Sequence, residues 1–385
     1  VSVTHPRGFR ATGITAGLKV SGKPDLALVV NDGPSDVAAA VFTRNKVKAA
    51  PVLWTQQVMT TGSLRAVVLN SGGANACTGP EGFQTAHATA EKAAEVLGIG
   101  PIDVALCSTG LIGAQLPRDV LLAGVEKAAG SLESTPEAGL AAATAIMTTD
   151  TVAKQSLAVR EGWSVGGITK GAGMIAPSMA TMLSVLTTDA VADAETLDKA
   201  LHAAVRVSFD RLDVDGSMST NDTVVVLASG ASGVTPTEAE LTVALTEVAK
   251  DLARQMQADA EGVTKRVTVR VTGAASEDDA VTVARTVARD SLVKTALFGS
   301  DPNWGRVAAA AGYAEAELNP DHLDVTINGV LLCAGGVAAG DRSLADLSGE
   351  DILVEVALGL GGGAAEILTT DLSHAYVEEN SAYSS

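Results

Sequence analysis

Short apolar or alternating runs punctuated by glycine recur along the 385-residue chain. LALVV (26–30), RAVVLN (65–70), DVALCS (103–108), DTVVVLAS (222–229), RVTVRVTG (266–273), LDVTIN (323–328) and DILVEVAL (351–358) have the length and β-branched content of strands. Alanine-rich stretches with apolar residues at helical spacing lie among them, at 84–97, 119–130, 194–207, 237–257 and 277–290. Asp119 and Thr196 are placed to start two of these helices. At the end of the chain, ILVEVALGLGGGAAEILTTD reads as strand, glycine turn and strand, a terminal hairpin. The mixture predicts an α/β (α+β) protein.

The length exceeds one ordinary core and predicts two domains or one large layered one. Aromatic residues are only 3%, so Ala, Val, Leu and Ile must fill the interior. The net charge of −18 argues against nucleic acid and anionic membranes as partners. It does not argue against an anionic small substrate, because one local cation can invert the field inside a pocket. The three cysteines form no CxxC pair and, with the histidines, no metal-ligand spacing, so no metal site is expected. Their odd, sparse count fits a reducing compartment. The first residues lack the apolar stretch of a signal peptide, and no run supplies the ~20 apolar residues of a membrane span. A cytoplasmic location is expected. The triplet TTD occurs at 148–150, 187–189 and 369–371, which reads as coincidence in a threonine-rich chain.

The longest uncharged run, residues 171–188, lies between Lys170 and Asp189 and holds three of the seven methionines. It opens with GAGMIA (171–176), which matches a dinucleotide fingerprint after a strand-like SVGGIT. That motif needs a helix whose first amides bind pyrophosphate. Pro177 falls where the helix should run and pushes Ala176 away from the α region. Two other motifs fail more simply. DVDGSMSTND (213–222) has Met218 and Val224 where a calcium loop needs glycine and an acid, so it reads as a polar turn. GLGGGAA (359–365) lacks the Lys-Ser/Thr ending of a phosphate loop.

Thr181 follows the small residue Ala180. A threonine hydroxyl is a poor nucleophile until a base stands beside it. Cutting the Ala180–Thr181 bond would free the threonine's own α-amine, with a pKa of ~7.7–8, to serve as that base. By composition alone Thr181 reads as an ordinary strand threonine. Lys170, the cation at the edge of the run, either meets a substrate carboxylate or is solvated. In CSTGLIG (107–113), Thr109 and the Gly110 amide either face an oxyanion or belong to an ordinary turn after a strand.

Taken together, the chain resembles the ornithine acetyltransferase family, the glutamate N-acetyltransferases of arginine biosynthesis. The resemblance runs nearly end to end. It is carried by PRGF (6–9), VFTRN (41–45), NSGGANACTG (70–79), CSTGLIG (107–113), AIMTTD (145–150) and KGAGMIAPSMATML (170–183). It continues in STNDT (219–223), ADAEGVTK (258–265), LVKTALFGSDPNWGR (292–306) and YVEENSAYSS (376–385). The resemblance implies an αββα sandwich and self-cleavage between Ala180 and Thr181. An α chain, 1–180, and a β chain, 181–385, would then form one catalytic unit, usually assembled as an α2β2 heterotetramer. Thr181 would take acetyl from N-acetylornithine as an ester and pass it to glutamate in a ping-pong cycle that needs no cofactor. Thr109 and Gly110 match the oxyanion hole. Thr148, Lys170, Thr181, Glu261, Asn380 and Ser385 match substrate contacts. The residues alone allow another reading of Glu261, a surface acid at a helix end capped by Gly262. They would also leave the 376–385 tail frayed, whereas a substrate role requires it ordered. Two alternatives accompany this reading. One is a self-processing aminopeptidase or amidohydrolase that gives the acyl group to water. The other is a bifunctional enzyme that also takes acetyl from acetyl-CoA. A CoA site wants basic residues, so 27 Lys+Arg against 45 Asp+Glu favour the single activity.

Overall fold

The computed structural model describes residues 2–176 and 182–382. The chain divides into two compact units, 1–210 with 217–256, and 211–216 with 257–384. The expected cleavage point at 180/181 falls within the first of these units.

The strands of the first unit are β1 (Phe9–Ile14), β2 (Leu26–Asn31), β3 (Val37–Phe42), β4 (Ala66–Asn70), β5 (Val104–Ser108), β6 (Lys154–Val159), β7 (Ser164–Lys170), β8 (Leu183–Thr188) and β9 (Thr223–Ala228). Its helices are α1 (Ala50–Val58), α2 (Gly79–Leu97), α3 (Arg118–Ala129), α4 (Pro136–Ala145), α5 (Ala194–Arg206) and α6 (Glu238–Ala258). One sheet has the order β1-β2-β4-β5 and the other β3-β9-β8-β7-β6. Side chains alternate across a sheet with period two. Leu183, Val185, Val225 and Leu227 therefore point to one face of the second sheet, and they share a core with Val29, Val67 and Leu69 of the first. α1 and α2 pack on β5, and α3 on β2. On the far face of the second sheet, Gly167 lies so close to α6 that an added Cβ would meet Val248 at 2.9 Å and Leu252 at 3.0 Å. The layers run helix, sheet, sheet, helix, as the αββα expectation requires.

The second unit holds β10 (Arg266–Ala274), β11 (Asp324–Ile327), β12 (Val330–Ala334), β13 (Val337–Ala338), β14 (Asp351–Ala357) and β15 (Gly363–Thr370). Its helices are α7 (Glu277–Arg289), α8 (Ser291–Phe298), α9 (Trp304–Gly312) and α10 (His374–Ala382). The sheet order is β13-β12-β11-β14-β10-β15. Val267, Val269 and Val271 face α7 through Val283, Ala284 and Val287. On the opposite face Arg270 pairs across both neighbouring strands, with Glu355 at 3.0 Å and Glu366 at 2.7 Å.

The seven strands and five helices read from the pattern all form, with ends shifted by up to five residues. Three expectations change. The terminal segment is not a hairpin, because β10 lies between β14 and β15. The glycine-rich connection instead crosses the end of β10, where the Leu358 amide donates to Thr272 O at 2.9 Å and the Leu360 amide to Gly273 O at 2.7 Å. α5 starts earlier than Thr196, because the Asp193 carboxylate caps it by accepting the Thr196 amide at 2.9 Å. α3 starts at Arg118 after Pro117, which leaves Asp119 in the first turn, where its charge suits the helix dipole. Among the described residues no helix is long and apolar enough to cross a membrane.

Candidate active site

In the first unit, three loop and strand ends bring the expected residues together. β5 ends at Ser108, and the next amide, Thr109 N–H, still bonds Asn70 O at 3.0 Å. Gly110 follows with φ +127°, a left-handed backbone that disfavours side chains. A Cβ there would meet Gly73 N at 2.9 Å. The turn is thus fixed by the close approach of two glycine-bearing strands, NSGG and CSTG. The Ser108 hydroxyl bonds Asn70, and Asn221 Nδ2 donates to Ala74 O at 2.6 Å and Ser108 O at 2.8 Å, tying in the STNDT segment.

β7 ends on Lys170, which is 2% exposed. The solvated reading is therefore wrong. Its ammonium donates to Thr148 Oγ1 at 2.7 Å and to Thr109 Oγ1 at 3.4 Å. Asp150 supports this arrangement from below. Its Oδ1 accepts Lys154 Nζ and the Gly171 amide, each at 2.7 Å, and its Oδ2 accepts the Thr148 amide at 3.0 Å while standing 3.8 Å from Lys170 Nζ. Burial opposes the charge on Asp150, but Lys170, Lys154 and the hydrogen bonds outweigh it and hold the carboxyl down at about 2. Lys19 lies at the margin and donates to Met147 O at 2.6 Å. Burial, with a smaller push from Lys170, brings its ammonium down to about 8.

β7 and β8 pair antiparallel, with Lys170 opposite Leu183. The connection GAGMIAPSMATM therefore leaves and returns at one end of the sheet. Its described part, 171–176, contains no helix, in agreement with the rejection of a dinucleotide site. Met174 has φ +54°, a strained backbone for a residue with a side chain. Ala180 and Thr181 lie outside the described residues, as does Ser385.

Glu261 and Asn380 belong to the second unit. Glu261 is buried, not a surface acid, and its Oε2 accepts Asn380 Nδ2 at 2.9 Å. Gly262, with φ +63°, gives passage to α10, since a Cβ there would meet the Tyr376 amide at 2.1 Å. Residues 374–382 of the tail form α10, and Tyr376 anchors it through its amide to Ser373 Oγ at 3.0 Å.

The sequence reading gave no role to Asp150, Lys19 or Asp222, although the first and last stand in quoted motifs. The signal for the two aspartates was an acid next to threonine hydroxyls, Asp150 between Thr149 and Thr151 and Asp222 before Thr223.

A buried lysine–threonine cluster on this fold suits acyl transfer, and comparisons with known proteins give the family. A model of the ArgJ family matches residues 10–385. The arginine biosynthesis bifunctional protein ArgJ of Mycolicibacterium paratuberculosis is 64% identical over 100% of this chain and 96% of its own. That of Streptomyces coelicolor is 58% identical over 100% of both chains. A crystal structure of ornithine acetyltransferase from Mycobacterium tuberculosis, complexed with ornithine, is 58% identical with a TM-score of 0.46, covering 47% of this chain and 96% of that one. The chain belongs to the ArgJ family, and its role is acetyl transfer in arginine biosynthesis.

Proposed function

We propose that the enzyme cleaves itself between Ala180 and Thr181 and that Thr181 then carries acetyl from N-acetylornithine to glutamate. The observation that carries this reading is the placement of Lys170. Its buried ammonium contacts the Thr148 and Thr109 hydroxyls, and it stands opposite Leu183, two positions after Thr181 in sequence. A buried ammonium beside two hydroxyls suits the α-carboxylate that donor and acceptor share. Thr109 and the Gly110 amide would receive the oxyanion of the tetrahedral intermediate. In the second unit Glu261, held by Asn380, has the sign required for a substrate ammonium. Ser385 completes the assigned contacts on the strength of the resemblance.

In this reading the α chain is 1–180 and the β chain 181–385, both cytoplasmic and assembled as α2β2. Transfer proceeds through a threonine ester, so no cofactor enters the cycle. Donor and acceptor bind in turn, and water must stay out while the ester exists.

A second reading has its own support. The relatives named above are called bifunctional, which favours acetyl-CoA as an additional donor and opposes the single activity suggested by the acidic composition. One experiment separates the cases. Purified protein is analysed by mass spectrometry and N-terminal sequencing, then assayed with glutamate and either N-acetylornithine or acetyl-CoA. A fragment starting Thr-Met-Leu-Ser and acetylglutamate from N-acetylornithine are expected. An active preparation without that fragment overturns the nucleophile assignment, and free acetate as the product makes the protein a hydrolase.

A further inference from the structure

One buried carboxyl beside the junction has no role in the scheme above. Asp222 is fully buried immediately before β9. Its backbone is fixed, since its carbonyl accepts the Thr43 amide at 3.0 Å and the next residue, Thr223, bonds Met182 O at 3.2 Å. Its Oδ1 accepts the Met182 amide at 3.0 Å. Its Oδ2 is buried and has no hydrogen-bond partner among the described residues. Met182 N is the nitrogen joined to the carbonyl carbon of Thr181. The carboxyl is thus anchored one residue from the bond proposed to break, with a second oxygen uncommitted.

We propose that Asp222 is the proton relay of self-cleavage, giving a proton to the departing Thr181 nitrogen and recovering one from the attacking Thr181 hydroxyl. This inference rests on the self-cleavage reading. An amide nitrogen leaves poorly unless it is protonated, so an acid at this position addresses the difficult step. The bond from Thr181 Oγ to the Ala180 carbonyl carbon forms, and the bond from that carbon to Thr181 N breaks. The nitrogen, already carrying one hydrogen, takes the Asp222 proton and becomes the free amine. The hydroxyl proton restores the acid. Water then attacks the ester carbon, its hydroxyl staying on Ala180 and its remaining hydrogen going to Thr181 Oγ. Burial favours the protonated carboxyl, raising its pKa well above the usual carboxylate range. The Met182 amide, the Ser219 hydroxyl and the Lys170 ammonium on β7 oppose this, while Asp210 adds to it.

A purely structural role predicts a different outcome. Asparagine has the same shape and keeps an acceptor for the Met182 amide, yet cannot relay the proton. The test is Asp222→Asn in the full chain, beside wild type and Thr181→Ala. The expected result is a variant with the circular dichroism and melting behaviour of the Thr181→Ala precursor whose cleavage is slower than wild type by at least about 100-fold. Hydroxylamine, which cuts esters, should release no fragments from it. Cleavage within about tenfold of wild type overturns the proposal, and so does release of both fragments by hydroxylamine, because the acyl shift then proceeds without the acid. Should the variant not fold, wild-type precursor made by cell-free translation decides the matter. Its cleavage must slow at alkaline pH as the carboxyl loses its proton, and a rate that climbs steadily with pH overturns the relay. An uncut wild-type chain that is active defeats the self-cleavage reading itself, which is a separate result.

Discussion

Lys170 Nζ donates to Thr148 Oγ1 at 2.7 Å, in a setting where the lysine is 2% exposed. An ammonium is buried only where its partners repay the lost hydration. Asp150 repays part of it from 3.8 Å, and a substrate carboxylate would add a charge-assisted bond. Lys170→Met should therefore lower kcat/KM by about 10- to 100-fold, with the rise in KM shared by N-acetylornithine and glutamate. Lys170→Arg should not rescue it, because a planar fork does not fill a site built for a compact ammonium. Steady-state kinetics with both substrates check this, and an unchanged KM for both would remove the lysine from the carboxylate site.

Asp150 provides a pH signature. Its carboxyl is held at about 2, below the ordinary aspartate value of 3.8, so the folded state releases its proton more readily than the unfolded one. The stabilisation is fully present above pH ~4 and is lost as pH falls toward ~2. Asp150→Asn removes it and leaves Lys154 and Lys170 without this partner, at a cost of about 3 kcal/mol near neutrality. Melting curves across pH 7 to 2 should show the gap between wild type and variant closing below pH ~4. A gap of constant size would mean that the carboxyl titrates normally.

The oxyanion assignment separates into a chemical and a steric test. Thr109→Ala removes a hydroxyl at little cost in shape and should lower kcat by ~10²–10³ if the donor is used. Gly110→Ala puts a Cβ 2.9 Å from Gly73 N on a backbone with φ +127°, so it should also destabilise the protein by about 1–3 kcal/mol. Kinetics and thermal melts of the two variants distinguish them. If Gly110→Ala melts as wild type does, the two strands do not hold the turn as closely as described.

Much of this was legible in the chain, and the gaps have physical causes. Strand and helix positions followed from the pattern because β2, β4, β5 and β9 are buried, largely apolar runs and α6 carries apolar residues at helical spacing. Pairing did not follow, since a glycine-rich segment such as 358–362 can turn tightly or bridge a third strand, and only the long-range partner, β10, decides. The TTD triplets read as coincidence, yet Asp150, Asp189 and Asp371 are all buried and each accepts backbone amides. Two of them follow the strand ends Thr188 and Thr370, where neighbouring loops need an acceptor. A local pattern cannot show which distant amide an aspartate will meet. Burial of Lys170 and Glu261 was hidden for the same reason.

If Glu261 meets a substrate ammonium as proposed, its pairing with Asn380 gives α10 a part in holding it. Asn380→Ala should leave self-cleavage intact and raise KM for N-acetylornithine by about 10-fold, because Glu261 loses a 2.9 Å bond that orients it. Glu261→Gln, which removes the charge itself, should raise it further. Equal effects of both variants on folding, seen in the melts, with KM unchanged would make the pair purely structural.

The position of β8 bears on what happens after the proposed cut. β8 pairs with β7 from Val165↔Thr188 to Lys170↔Leu183 and with β9 from Leu183↔Thr223 to Thr188↔Ala228. All six of its residues are buried. Scission at Ala180–Thr181 would thus place a chain end only two residues before a central strand whose neighbours come from both products, β7 from 1–180 and β9 from 181–385. Withdrawing it would expose two rows of backbone groups and the apolar core shared by the two sheets. The two chains should remain together at nanomolar dilution, and native mass spectrometry should find both in one particle. In denaturant they should separate at the same midpoint at which activity and circular dichroism are lost. Release of 1–180 under native conditions, with 181–385 still folded, would show that β8 does not bind the two halves into one sheet.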